Sequence, residues 1–177
     1  MTTAITTDRL RRRFAKWDVD GSGTLERTDF EREAERVSGA FGAQPGSKEA
    51  IALRDAFRNL FDFHAREAGV PQNGSVSEEQ FIRINEKLMF SEGEASFNRV
   101  LRPVMQAIVG LCDRNADGVI NQEEFIAYLQ GVGVDQSTAQ DAFRQIDTDN
   151  SGELTVDELL AAVRNFHYGK LDVPLLG

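Results

Sequence analysis

Residues 113–124, Asp113-Arg114-Asn115-Ala116-Asp117-Gly118-Val119-Ile120-Asn121-Gln122-Glu123-Glu124, decide the reading of this chain. They match the pattern D-x-[DN]-x-[DN]-G-x5-E in full. Side-chain oxygens at loop positions 1, 3 and 5 (Asp113, Asn115, Asp117) converge as the chain curls, and Gly118 at position 6 takes the sharp turn. The backbone carbonyl of Val119 at position 7 adds another oxygen. Glu124 at position 12 closes a shell of roughly 6 to 8 oxygens. A donor set without nitrogen or sulfur suits a hard cation of the size of Ca2+.

The same pattern recurs around Gly23, Gly74 and Gly152. Residues 147–158 place Asp147, Asp149, Ser151, the Glu153 carbonyl and Glu158 at the ligand positions, with a serine hydroxyl replacing a carboxylate at position 5. Residues 18–29 supply Asp18, Asp20, Ser22, the Thr24 carbonyl, Glu26 and Asp29. There the closing residue is one methylene short, which lowers the coordination number toward the six oxygens that Mg2+ prefers, while Glu26 at position 9 offers a compensating carboxylate. Three cation sites are expected, with Mg2+ admissible at the first. Residues 69–80 put Gly69, Pro71 and Gln80 where carboxylates belong, so this loop is expected to bind no divalent cation and to act as scaffold. Its apolar Val76 should pair with Leu25 in a short two-stranded bridge, as Ile120 should with Leu154.

Each loop is flanked by apolar residues of helical period, such as Leu10, Phe14 and Trp17 before the first and Leu159, Leu160, Val163 and Phe166 after the fourth. Longer helices are expected over about 48–68 and 94–112, with breaks at 42–47, 91–93 and 131–133. Pro103 predicts a kink or a late start in the latter helix. The fold class is all-α, four helix-loop-helix units in two paired lobes joined by short β-bridges within each pair. Residues 1–92 form the first lobe, looser because 30–68 separates its loops, and 93–177 the second, with an apolar tail.

With these motifs in place, the chain resembles the EF-hand proteins. From WDVDGSGTLERTDF at 17–30 to FHYGKLDVPLLG at 166–177 it is similar to the sarcoplasmic calcium-binding proteins and their prokaryotic counterparts. That resemblance implies a compact two-lobe fold, a silent second hand, and calcium buffering or transport.

Composition agrees with this reading. The 29 acidic and 20 basic residues give a net charge of −9, which disfavours nucleic acid and favours cations. The three loops carry −3, −3 and −5, so all other residues together total +2, and three bound Ca2+ would bring the protein to −3. A hydrophobic content of 41% indicates a globular chain, and no apolar run approaches the ~18 residues of a membrane span. The opening MTTAITTDRLRRRF lacks a secretion-signal core, Thr2 stands where myristoylation needs glycine, and the lone Cys112 allows no internal disulfide. A cytoplasmic monomer is expected.

Catalysis is not expected, because the four hands and their helices consume nearly the whole chain and leave no phosphate loop, nucleophile elbow or zinc motif. His64 and His167 read as residues on helix faces, Cys112 as a small core residue, and Arg11-Arg12-Arg13 as the solvated face of the first helix. Two roles stay open at this level. A sensor would expose an apolar, often Met-rich groove to a target protein on binding Ca2+; a buffer or carrier would keep its core closed. Only 3 Met stand against 12 Phe, and the tail Leu171, Val173, Leu175 and Leu176 could fill such a groove from within, which favours the buffer. Replacing Glu124 or Glu158 by alanine is expected to remove one ion each from the stoichiometry of a Ca2+ titration, and an unchanged stoichiometry would refute their assignment.

Overall fold

The computed structural model describes residues 2–173 and 175, with side chains from Ala4 onward, so Leu176 of the tail lies outside the described residues. In chain order the elements are α1 (Thr2–Trp17), β1 (Thr24–Leu25), α2 (Arg27–Ala40), α3 (Lys48–Ala68), β2 (Val76–Ser77), α4 (Glu78–Glu86), α5 (Glu94–Cys112), β3 (Ile120–Asn121), α6 (Gln122–Gly131), α7 (Gln136–Ile146), β4 (Glu153–Leu154) and α8 (Val156–His167). A single π-helical turn, Lys87–Ser91, continues α4.

The ends of α3 follow from its sequence. Ser47 Oγ accepts the Ala50 amide at 3.2 Å as an N-cap, and Gly69 closes the helix in the left-handed conformation at φ 71°. In α5 the expected late start is not observed, because the helix begins at Glu94 and runs through Pro103. Pro103 is solvent-exposed, so the carbonyl it leaves unbonded one turn earlier can be hydrated, which removes much of the penalty of an interior proline.

The two bridges form in the expected register, antiparallel, with Leu25 opposite Val76 and Ile120 opposite Leu154. All four of these side chains are buried and anchor the loop pairs to the core. In the first half, Trp17 packs edge-on against Phe30 (ring centroids 4.9 Å apart) and Phe57 (5.9 Å), and Phe30 against Phe61 (5.4 Å). In the second half, Phe125 meets Phe143 at 5.8 Å. Aromatic pairs at such separations add to the area they bury. Far from being loose, 30–68 is occupied by α2 and α3 packed along each other.

The two halves share one continuous apolar cluster rather than two separate cores. At the seam, α3 packs on α5, Phe41 meets Tyr128 with centroids 6.0 Å apart, and Gly131 approaches Ala40 so closely that a Cβ there would lie 3.2 Å from the Ala40 carbonyl oxygen. On the other side, Thr6 Oγ1 donates to the His167 carbonyl at 2.7 Å. Arg9 donates to the Phe166 and Leu171 carbonyls and pairs with Asp172 at 2.6 Å. Arg9 therefore caps the C-terminus of α8 from α1, where a cation is favoured by the helix dipole.

This closure corrects one expectation and sharpens another. Arg11 and Arg12 are exposed, but Arg13 is buried, since it shares the face of Leu10, Phe14 and Trp17 that the second half covers. The histidines lie on the covered faces of their helices, 3% and 2% exposed for His64 and His167. Cys112 is fully buried as expected, and burial pushes its thiol pKa up.

Burial lowers the His64 imidazole to about 4 and, with a smaller push from the Arg13 charge, His167 to about 3. The unfolded chain takes up these protons near pH 6.5, whereas the folded chain refuses them until near those lowered values. Their contribution to stability is therefore complete above about pH 6.5 and is lost as the pH falls toward 4 and 3, at up to about 1.4 kcal/mol per pH unit for each. His64→Gln is expected to lower the slope of stability against pH in that window by about one proton. An unchanged slope would contradict the assignment.

Candidate metal centre

Loops one, three and four share one hydrogen-bond pattern, and it begins at the residue that ends the entering helix. In the fourth loop Asp147 Oδ1 accepts the Ser151 amide at 3.0 Å and Oδ2 the Gly152 amide at 2.9 Å, while Asp149 Oδ1 accepts the Ser151 amide at 3.0 Å. In the third, Asp113 accepts the amides of Asp117 (3.2 Å) and Gly118 (2.8 Å), and Asn115 Oδ1 that of Asp117 (3.3 Å). In the first, Asp18 accepts the amides of Ser22 and Gly23, both at 2.9 Å, and Asp20 that of Ser22 at 3.1 Å. The glycine after each turn has φ 80°, 83° and 81° at Gly23, Gly118 and Gly152, a conformation that strains any residue with a Cβ.

At position 3 of the first and fourth loops these bonds favour the charged carboxylate. The Ser22 amide, followed by its hydroxyl, draws Asp20 below its ordinary range, and the Ser151 hydroxyl and amide do the same for Asp149. The two serines also orient the position-7 carbonyls: Ser22 Oγ donates to the Thr24 carbonyl at 2.9 Å and Ser151 Oγ to that of Glu153 at 2.8 Å. In the third loop Asp117 Oδ1 instead accepts the Val119 amide at 3.1 Å.

The position-12 side chain has a second task that the sequence reading missed. It is the third residue of the exiting helix and accepts the amide of the N-cap residue: Asp29 Oδ2 from Glu26 (2.8 Å), Glu124 Oε2 from Asn121 (3.0 Å) and Glu158 Oε2 from Thr155 (3.0 Å). In the second loop Gln80 Oε1 accepts the Ser77 amide at 2.9 Å, so an acceptor persists there without a charge. The signal was available, since each loop reads as a polar N-cap with Asp, Glu or Gln three residues later.

The loops differ in how far their acids converge. Oxygens of Asp147, Asp149 and Glu158 lie within 4.8 Å of one another, the one such group of His, Cys, Asp or Glu among the described residues. In the third loop Glu124 is buried and its Oε1 accepts the Arg114 amide at 2.9 Å. In the first, Asp29 is buried, lies 3.3 Å from Arg32, and has its pKa raised by burial despite the Glu26 amide. Nothing of this kind exists in the second loop, where Gly74 donates to the Pro71 carbonyl at 2.8 Å and the backbone closes on itself.

Comparison with known proteins agrees with this geometry. Residues 138–169 match the family description "EF-hand domain" and residues 103–132 match "EF-hand domain pair". The chain is 56% identical over 177 residues to calerythrin of Saccharopolyspora erythraea, covering 100% of both chains. A calcium-binding protein of Streptomyces coelicolor, solved as a basis for prokaryotic calcium-mediated regulation, superposes with TM-score 0.70 at 25% identity, over 94% of this chain and 98% of that one. The ctenophore photoprotein berovin, whose three Ca2+-binding loops bind Mg2+, superposes with TM-score 0.67 at 25% identity over 90% and 86% of the two chains. With full-length identity of this order and these loops, the chain belongs to the EF-hand sarcoplasmic calcium-binding protein family that includes calerythrin, and it binds calcium.

Proposed function

We propose that the chain is a Ca2+ buffer or carrier with three active hands, ligated by Asp18, Asp20, Ser22, Thr24, Glu26 and Asp29; by Asp113, Asn115, Asp117, Val119 and Glu124; and by Asp147, Asp149, Ser151, Glu153 and Glu158. Each set combines carboxylate, carboxamide or hydroxyl oxygens at positions 1, 3, 5 and 12 with the position-7 carbonyl, as a Ca2+ shell requires. Mg2+ competes at the first site, where the shorter Asp29 favours six-coordination. Berovin, whose three loops take Mg2+, offers a precedent. The second hand, with no acid at the ligand positions of 69–80, serves to pair with the first. The protein works as a monomer in the cytoplasm and without catalysis.

One observation carries the choice of buffer over sensor. Leu175 is buried in the second half among Met105, Ile108, Ile120, Phe125, Tyr128 and Leu159, and its carbonyl accepts the Tyr128 hydroxyl at 2.6 Å. Leu171 and Val173 are buried as well. The tail thus covers the apolar side of hands three and four, the surface that a sensor would open to a target. The alternative, a sensor that regulates a target protein, draws on the Streptomyces coelicolor protein described by calcium-mediated regulation.

Coordination is coupled to folding: carboxylates gathered at one point repel until a cation arrives, and the ion then stabilises loop and flanking helices together. Buffer hands of this type reach dissociation constants on the order of 10^-9 to 10^-8 M. Calorimetric titration should find three tightly bound Ca2+ with competition by millimolar Mg2+. Weaker, cooperative binding indifferent to Mg2+, together with strong Ca2+-dependent binding of a hydrophobic dye, would overturn the buffer reading. Leu175→Ala is expected to cost about 2–5 kcal/mol of stability and to raise dye binding; no change in either would show that the tail does not close the groove.

A further inference from the structure

Among the described residues, the buried side-chain nitrogens without a hydrogen-bond partner include Arg13 Nε, Trp17 Nε1 and His167 Nε2. These three side chains belong to two helices, α1 and α8, from opposite halves of the molecule. They line one cavity of about 20 Å³, together with His64, Asn85 and Met89. Buried polar groups left unpaired are rare in folded proteins, and three around one small space call for a common partner.

The polarity of the site is set by its neighbours. His167 Nδ1 lies 2.8 Å from the Val163 carbonyl, which can only accept, so Nδ1 carries the proton. In the neutral imidazole Nε2 is then a bare acceptor. Arg13 Nε and Trp17 Nε1 can only donate. The occupant must accept two hydrogen bonds and donate one. It must also fit a space only slightly larger than the roughly 10–15 Å³ that admits one water.

Chloride would satisfy the two donors but would face the His167 lone pair. A cation would face two N–H groups and the Arg13 charge. An organic ligand needs on the order of 300 Å³ or more.

We propose that this cavity is a binding site for one ordered water molecule, which accepts from Arg13 Nε and Trp17 Nε1 and donates to His167 Nε2. The water joins the helix that enters hand one to the helix that leaves hand four. Trp17 immediately precedes Asp18, and His167 ends the helix that carries Glu158 in its first turn, so the bridge joins the helices that flank the first and fourth loops.

The test is the water-selective NOE and ROE spectrum of the Ca2+-loaded full-length protein, read at the Trp17 indole proton. The expected result is a cross-peak with the sign pattern of a long-lived bound water in the wild type. It is lost in His167→Leu and kept in His167→Gln, whose amide oxygen restores an acceptor. A wild-type cross-peak of exchange type only, no cross-peak at all, or an undiminished one in His167→Leu would overturn the proposal. If the leucine variant fails to fold, a crystal of the wild type decides: a single spherical peak within hydrogen-bond distance of the three nitrogens supports water, and an anomalous peak there after a bromide soak overturns it in favour of an anion.

Discussion

The structure depends on one carboxylate in each of the loops 18–29, 113–124 and 147–158, the aspartate at position 1. Asp18, Asp113 and Asp147 each end a helix and then gather the two amides that follow the turn, at 2.8 to 3.2 Å. Those amides reverse the chain and aim the later oxygens back at the first. The gathered charge makes the loops dependent on a cation: they concentrate −11 of charge in a protein whose remaining residues total +2. Repulsion on this scale is relieved in part by the loop amides and further by a bound cation.

From that constraint the packing follows. A loop whose carboxylates repel needs an external anchor, and each finds one in the bridge to its neighbour, Leu25 with Val76 and Ile120 with Leu154. The second loop, with no acid at its ligand positions, pairs with the first through the bridge, and Gln80 keeps an acceptor that caps α4. Further from the loops, the two halves are fastened by Arg9 and Thr6 on one side and by Phe41, Tyr128 and Gly131 on the other. Helix α2 begins within loop one, and its C-cap Phe41 packs against Tyr128, four residues beyond Glu124, so loops one and three are connected through one helix.

Much of this was legible in the sequence. Apolar period and Gly/Ser/Pro breaks placed α3 and α5 at their observed limits, and position-8 residues identified both bridges, because these features are local and repeat. What escaped was set by contacts distant in sequence. Arg13 read as part of a solvated face, and the two histidines simply as helix-face residues, because nothing within their own helices shows that the other half covers them. Pro103 read as a kink or a late helix start because its tolerance depends on solvent exposure. The fourth site emerged with its acids converged on one point. In the third, the buried Glu124 bonds the Arg114 amide, a local competition that spacing alone does not reveal.

The central claim, that three loops hold Ca2+ while a fourth serves only as scaffold, is tested most directly by anomalous scattering from crystals grown with Ca2+. The account predicts calcium peaks within the loops at 18–29, 113–124 and 147–158, with the position-1 aspartates and Asp29, Glu124 and Glu158 in the coordination shells, and no peak at 69–80. A peak in the second loop, or an empty third or first loop at saturating Ca2+, would contradict it.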